Sequence, residues 1–221
     1  MDLSLKNNFI KRLVSSIIIL PVLFLIIYFG NLFFLSLLII IAIISFYEIK
    51  DISFNNLIFT FNLLILALFL YSSWELRNLQ NGLYLILFVL FICIFTDIGG
   101  YIFGKIFKGP KISRISPNKT YSGMFGSFLL PAIVILFFLN NNNNIEIYDK
   151  IIFPYNLNLF LTIFIISLVS QTGDFLISYQ KRKSNKKDTG NIIPGHGGLL
   201  DRIDGIIFAT IFYNLLIKVS I

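Results

Sequence analysis

The stretch GNIIPGHGGLLDRIDG, residues 190–205, gathers more reactive chemistry than any other part of the chain. It holds the sole histidine, His196, with Asp201, Arg202 and Asp204 among several glycines. Two further aspartates close apolar runs: Asp97 ends LYLILFVLFICIFT and Asp174 ends LFLTIFIISLVSQTG. One aspartate at a helix end is explained equally well by capping. Four that converge on one side of an apolar bundle point to function, because ionisable groups at membrane depth are costly and usually face a partner or a pathway. Asp201, Asp204, Gly205 and Phe208 share a face by their helical spacing, and Asp97, Gly100, Tyr101 and Gly104 repeat it. Gly100 and Gly104 would also let a second backbone approach closely. Hard carboxylate oxygens with no paired histidine or cysteine suit magnesium or a similar cation rather than zinc. Cys93 is the one cysteine and lies in an apolar run, which excludes disulfides and thiolate metal sites.

A cation of that kind is commonly completed by substrate phosphates. The segment SYQKRKSNKKDTGNIIPGHGG supplies basic side chains, hydroxyls, and glycines whose N–H groups can approach an anion. A helix starting near Gly198 would add its positive end. A second basic segment, KIFKGPKISRISPNKTYSG, is broken at Ser116-Pro117 and places Lys119 and Thr120 just before an apolar run. It reads either as an ordinary basic loop or as a second wall of the same phosphate site. Together these features suggest a metal–nucleotide or metal–polyphosphate centre.

The elements that position these groups are apolar blocks. The 221 residues are 57% hydrophobic and 16% aromatic, with mean hydropathy +0.84. Crossing a bilayer as a helix takes about 20 apolar residues. Blocks near that length recur at 13–30, 31–47, 56–72, 82–98, 122–139, 157–173 and 199–219, so seven spans are expected, with only Gly30–Asn31 between the first two. The N-terminal run is long and lacks a small-residue cleavage site, which favours a retained helix over a signal peptide. With the N-terminus inside, fifteen of the eighteen lysines and arginines fall on the cytoplasmic side, leaving Arg77, Lys150 and Lys218 outside. The net charge of +7 is thereby explained by orientation and anionic headgroups, not by nucleic acid. Residues 1–95 read as scaffold helices and 96–221 as the catalytic half of a single all-α membrane domain, with polar loops at 105–121 and 175–198.

Ser178, Lys181-Arg182, Lys187-Asp188, Gly190, Pro194, His196-Gly197-Gly198, Asp201-Arg202 and Asp204 stand in one register over 27 residues. In that register the chain resembles the integral-membrane phosphatidate cytidylyltransferases, also called CDP-diacylglycerol synthases. QTGDF around Asp174, TDIGGYIFGKIF and SPNKTYSG are similar to further elements of that family, and the resemblance covers roughly 95–205. Three positions depart from it. Gln180 stands where an apolar residue is usual, Gly100 replaces alanine, and Tyr121-Ser122 replaces Trp-Glu, removing a loop carboxylate.

The resemblance implies transfer of the cytidylyl group of CTP to phosphatidate, giving CDP-diacylglycerol and pyrophosphate. It implies magnesium at Asp174 and Asp201, with Asp204 and Asp97 as further ligands or as partners of basic groups. The number of metal ions and the presence of a monovalent cation stay open. Lys181, Arg182 and Lys187 would neutralise phosphates, joined by Lys119, Thr120, Ser116 and Ser178 and by the backbone at Gly197 and Gly198. Arg202 would pair with an aspartate or hold the lipid phosphate, and His196 would donate to phosphate or organise the loop. The partners are CTP, phosphatidate and the lipid bilayer, and a homodimer is left open. The expected location is the cytoplasmic (inner) membrane with the site facing the cytoplasm. Two other classes fit less well. A transporter with a carboxylate pathway would need acids at mid-membrane and on both sides. A CDP-alcohol phosphotransferase would need Ala-Arg after Asp204-Gly205, where the chain has DGIIFATIF.

Overall fold

The computed structural model describes residues 21–112, 119–140, 158–192 and 197–220, and these are almost wholly helical. Residues 21–29 form α1, followed by α2 (Asn31–Ile52), α3 (Asn56–Asn78), α4 (Gly82–Phe107), α5 (Tyr121–Asn140), α6 (Leu159–Lys183) and α7 (Leu200–Ser220). Four of the described helices, α2, α3, α4 and α6, are long and apolar enough to cross a membrane. Large side chains such as Leu32, Leu57 and Phe137 lie exposed on the helix surfaces, as expected where lipid is the solvent.

Short polar residues start three of the helices. Asn55 Oδ1 accepts the Ile58 N–H at 2.8 Å ahead of α3, and Asn158 Oδ1 accepts the Leu161 N–H ahead of α6. Thr120 Oγ1 accepts the Gly123 N–H at 3.1 Å ahead of α5. The break between the first two apolar blocks falls at Gly30 and Asn31, both at positive φ, so the chain turns there instead of continuing as one helix.

Two helices run further than their apolar blocks. α4 continues past Asp97 to Phe107, and α6 continues past Asp174 to Lys183. Asp97 and Asp174 therefore sit roughly three turns inside their helices, not at the ends. Ser178, Lys181 and Arg182, expected in a loop, are helical. The physical reason is that hydropathy reports contact with lipid, whereas Ser-Tyr-Gln-Lys-Arg-Lys has adequate helix propensity and places cations at the favourable C-terminal end. α6 ends in a Schellman turn: Lys186 N–H donates to Lys181 C=O at 2.8 Å and Asn185 N–H to Arg182 C=O at 3.1 Å, with Asn185 left-handed.

The chain divides into two compact units. The first comprises Met1–Leu70 and Gln180–Ile203, the second Tyr71–Tyr179 and Asp204–Ile221. In the first, Phe46 of α2 meets Phe59 of α3 edge-on. Asn62 and Gln180 form a buried reciprocal amide pair, with N–O distances of 2.8 and 3.0 Å. The unusual glutamine in the signature is thus answered by a polar partner on α3.

In the second unit α4 and α5 pack backbone to backbone. A Cβ on Gly123 would come within 2.7 Å of the Gly100 carbonyl oxygen, and one on Gly104 would lie 3.1 Å from Thr120 Oγ1. α6 and α7 approach in the same way, with Gly173 beneath Phe208 and Gly205 against Ser170. Thr96 Oγ1 donates to Ser167 Oγ at 3.0 Å, joining α4 to α6. Away from Asp97 and Asp174, Glu75 of α3 accepts from Asn214 and Lys218 of α7, both at 2.7 Å.

Candidate active site

The close approach of α4 and α5 in the second unit leaves a cavity of about 270 Å³. Asp97, Gly100 and Tyr101 of α4, Lys119 and Thr120 ahead of α5, and Gln171 and Asp174 of α6 line it. Lys119 is presented by a short antiparallel bridge: Ile112 N–H donates to Lys119 C=O at 3.0 Å, and Tyr121 N–H to Pro110 C=O at 3.2 Å. Its ammonium lies 2.5 Å from Asp174 Oδ2, with both side chains about one-third exposed. Asp174 Oδ1 accepts the Ser178 hydroxyl at 3.2 Å, one turn further along α6. Ser122, where the resembled family carries a glutamate, donates its hydroxyl to the Lys108 carbonyl.

The first unit contains a tighter cluster around the start of α7. Asp201 Oδ1 faces Lys181 Nζ at 2.6 Å, with side-chain exposures of only 8% and 12%. Asp201 Oδ2 accepts the Thr189 N–H at 2.8 Å, the Gly198 N–H at 3.0 Å and lies 3.1 Å from Thr189 Oγ1. By reaching back to the Gly198 N–H, Asp201 satisfies a donor that a helix start leaves open. Glu48 of α2, buried to 3% exposure, accepts the next two N–H groups, Leu199 and Leu200, both at 2.8 Å. Arg182 reaches the Lys186 carbonyl at 3.4 Å, and Lys187 and Arg202 are exposed.

A sequence model of the cytidylyltransferase family matches residues 51–220. The chain belongs to the cytidylyltransferase family. It is 35% identical over 215 residues to the phosphatidate cytidylyltransferase of Rickettsia felis, covering 93% of this chain and 90% of that protein. To the phosphatidate cytidylyltransferase of Rickettsia conorii it is 33% identical over 218 residues, covering 96% and 92%. To that of Staphylococcus haemolyticus it is 37% identical over 142 residues, covering 62% and 50%.

The residues expected to carry cytidylyltransferase chemistry thus fall into two groups. Asp97, Lys119, Thr120 and Asp174 share the cavity of the second unit, and Ser178 hydrogen-bonds to Asp174. Asp204, also of that unit, accepts its neighbour Gly205 N–H at 2.8 Å. Lys181, Gly198 and Asp201 meet in the first unit. Ser116 and His196 lie outside the described residues. Among the described residues no three acidic, histidine or cysteine side chains gather as a metal cage.

The N–H groups of Gly198, Leu199 and Leu200, which would have offered a phosphate the positive end of α7, are engaged by Asp201 and Glu48. Glu48, an acid at a span edge in the half that reads as scaffold, and Thr189, which no motif singles out, are additions to the expected set. An acid at the very edge of the apolar block 31–47 was the available signal for Glu48, by the same membrane-depth rule that singled out Asp97.

Proposed function

We propose that this protein is a nucleotidyltransferase that moves the cytidylyl group of CTP onto phosphatidate, yielding CDP-diacylglycerol and pyrophosphate. The observation that carries this reading is similarity over nine-tenths of the chain to proteins named phosphatidate cytidylyltransferase, with the signature of residues 178–204 in register.

A phosphatidate oxygen attacks the α-phosphorus of CTP. The new P–O bond forms as the bond to the bridging oxygen breaks, and pyrophosphate leaves with the electron pair. The nucleophile is already an anion, so no strong base is needed, and catalysis comes from positioning and charge neutralisation. Lys119, Thr120 and Ser178 in one unit, and Lys181, Arg182 and Lys187 in the other, supply the donors for phosphate oxygens. His196, Ser116 and Gly197 complete that set, Gly198 instead gives its N–H to Asp201, and Arg202 serves the lipid phosphate.

Transfer in this family is metal-dependent, and the donor chemistry fits a hard divalent ion. Asp174 and Asp201 each hold a lysine ammonium, at 2.5 and 2.6 Å, and at the one-third-exposed Asp174 a cation is well placed to replace it. We assign magnesium-binding roles to Asp174 in the second unit, with Asp97 and Asp204 in support, and to Asp201 in the first. The ion would neutralise phosphate charge and stabilise the departing pyrophosphate. Asp97 and Asp174 on one cavity match the habit of magnesium, which takes one or two carboxylates and completes its shell with substrate oxygens and water.

The reading places one polytopic domain of seven spans in the cytoplasmic membrane, N-terminus and reaction site inside, because fifteen of eighteen basic residues then face the cytoplasm. A cysteine introduced by Lys187→Cys should react with a membrane-impermeant thiol reagent only from that side. The central test is the purified full chain in detergent with phosphatidate, CTP and magnesium, followed by pyrophosphate release and lipid analysis. A folded sample that turns over no acyl composition of phosphatidate overturns the assignment.

A further inference from the structure

We propose that Glu48 is a positioning residue for cytidylyl transfer, holding the start of α7 against the 189–190 turn so that Asp201 is presented in one orientation. The proposal rests on the functional reading above. Its physical basis is the unusual place where this carboxylate finds its partners.

A buried carboxylate is costly unless its lone pairs are filled. Glu48 is 3% exposed, and among the described residues its three side-chain hydrogen bonds all go to one distant segment. Oε1 accepts the Leu199 N–H at 2.8 Å, while Oε2 accepts the Leu200 N–H at 2.8 Å and the Thr189 hydroxyl at 2.9 Å. These partners lie 141 to 152 residues away along the chain. A glutamate that merely stabilised α2 would have no need of them. The negative charge also meets the positive end of α7, where it is favoured.

The connection to Asp201 is a single side chain. Thr189 Oγ1 stands 2.9 Å from Glu48 Oε2 and 3.1 Å from Asp201 Oδ2, so its single hydroxyl proton, donated to either, holds the two carboxylates to one side chain. The Thr189 N–H, 2.8 Å from Asp201 Oδ2, ties the same residue to Asp201 again. Space for the arrangement comes from two glycines of the signature. A Cβ on Gly190 or on Gly198 would stand 2.8 Å from Glu48 Oε1. With the first N–H groups of α7 taken by Glu48, gripping substrate phosphate is left to side chains such as Lys181, whose partner Asp201 is the group Glu48 steadies.

The test uses the full chain with Glu48→Gln, which keeps the size and removes the charge, Glu48→Ala, and Glu48→Asp. Both Gln and Ala should lower kcat at least about tenfold while KM for CTP stays within about twofold, with part of the rate recovered in Glu48→Asp. Amide hydrogen exchange over residues 197–203 should quicken at least about tenfold in Glu48→Gln, with α4 unchanged. Unchanged kcat in a folded Gln variant overturns the proposal. So does faster exchange spread evenly over the whole protein, which marks a general packing residue. Should Glu48→Ala fail to fold, the Gln variant decides. If the wild-type protein shows no cytidylyl transfer, the functional reading falls, and the exchange data still decide whether Glu48 holds this turn.

Discussion

Lys181–Asp201 and Lys119–Asp174 are ion pairs of nearly equal length, 2.6 and 2.5 Å, in opposite surroundings. The first is close to sealed, and its aspartate also binds two backbone N–H groups. The second is about one-third exposed on a cavity whose walls are brought together by glycines. The same chemical pair therefore does two jobs. In the first unit charge organises the backbone, whereas in the second unit backbone packing organises a charge that stays open to a ligand.

That contrast is sharpest when the carboxylates are neutralised one at a time. Asp201→Asn leaves the Lys181 ammonium buried without its counter-ion, a change that typically costs about 3 kcal/mol or more. Turnover should be abolished while the protein still expresses, with a clearly lower unfolding midpoint in detergent. Near-normal activity would remove Asp201 from the metal site. An unchanged midpoint would erase the distinction between the two pairs.

Asp174→Asn should separate function from stability. An exposed pair contributes at most about 1 kcal/mol, so the midpoint should hardly move. The assigned role of Asp174 is to hold the magnesium that would stabilise the departing pyrophosphate, so kcat should fall about 100-fold. A variant that loses stability as heavily as Asp201→Asn would show that both pairs are structural.

The buried amides of the first unit give a smaller effect and test whether its polar groups come in matched sets. Asn62→Leu leaves Gln180 buried without its partner and should cost about 1–3 kcal/mol. Adding Gln180→Leu removes the orphan and restores the apolar residue usual at that position. The double variant should then regain most of the lost midpoint. A double variant as unstable as the sum of its parts would mean that the amides are not a compensated pair.

The reasons some of this was legible in the sequence and some was not are physical. Apolar blocks announce lipid contact, and helices form at every block whose residues are described. Hydropathy is silent about where a helix stops, so α4 and α6 run on through Asp97 and Asp174 into polar sequence. The signature brought Lys181, Gly198 and Asp201 to notice because they are close in sequence and distinctive in type. Glu48 carries no such spacing, since its partners lie 141 residues or more away. Thr189 is one hydroxyl among many. Only the fold shows that both touch the signature turn.

The smallest expected effect is that of Gly100→Ala in the glycine wall of the second unit, where two substitutions of the same kind should differ in sign. Gly123→Ala drives a methyl to 2.7 Å from the Gly100 carbonyl oxygen, a backbone atom that moves only if α4 moves. Overpacking of this kind costs about 1–3 kcal/mol, and it should also narrow the cavity and slow turnover. Gly100→Ala restores the alanine usual in the resembled family, and its Cβ meets Ser127 Oγ at 3.3 Å and the Gly123 carbonyl at 3.8 Å. A hydroxyl can give by the few tenths of an ångström required. Alanine is favoured over glycine inside a helix by about 1 kcal/mol, which exceeds that small adjustment. Gly100→Ala should therefore leave activity intact and raise the unfolding midpoint slightly. A fall in midpoint would show that α4 and α5 tolerate no separation at Gly100, and that the wall of this cavity is as tightly determined as the sealed pair in the first unit.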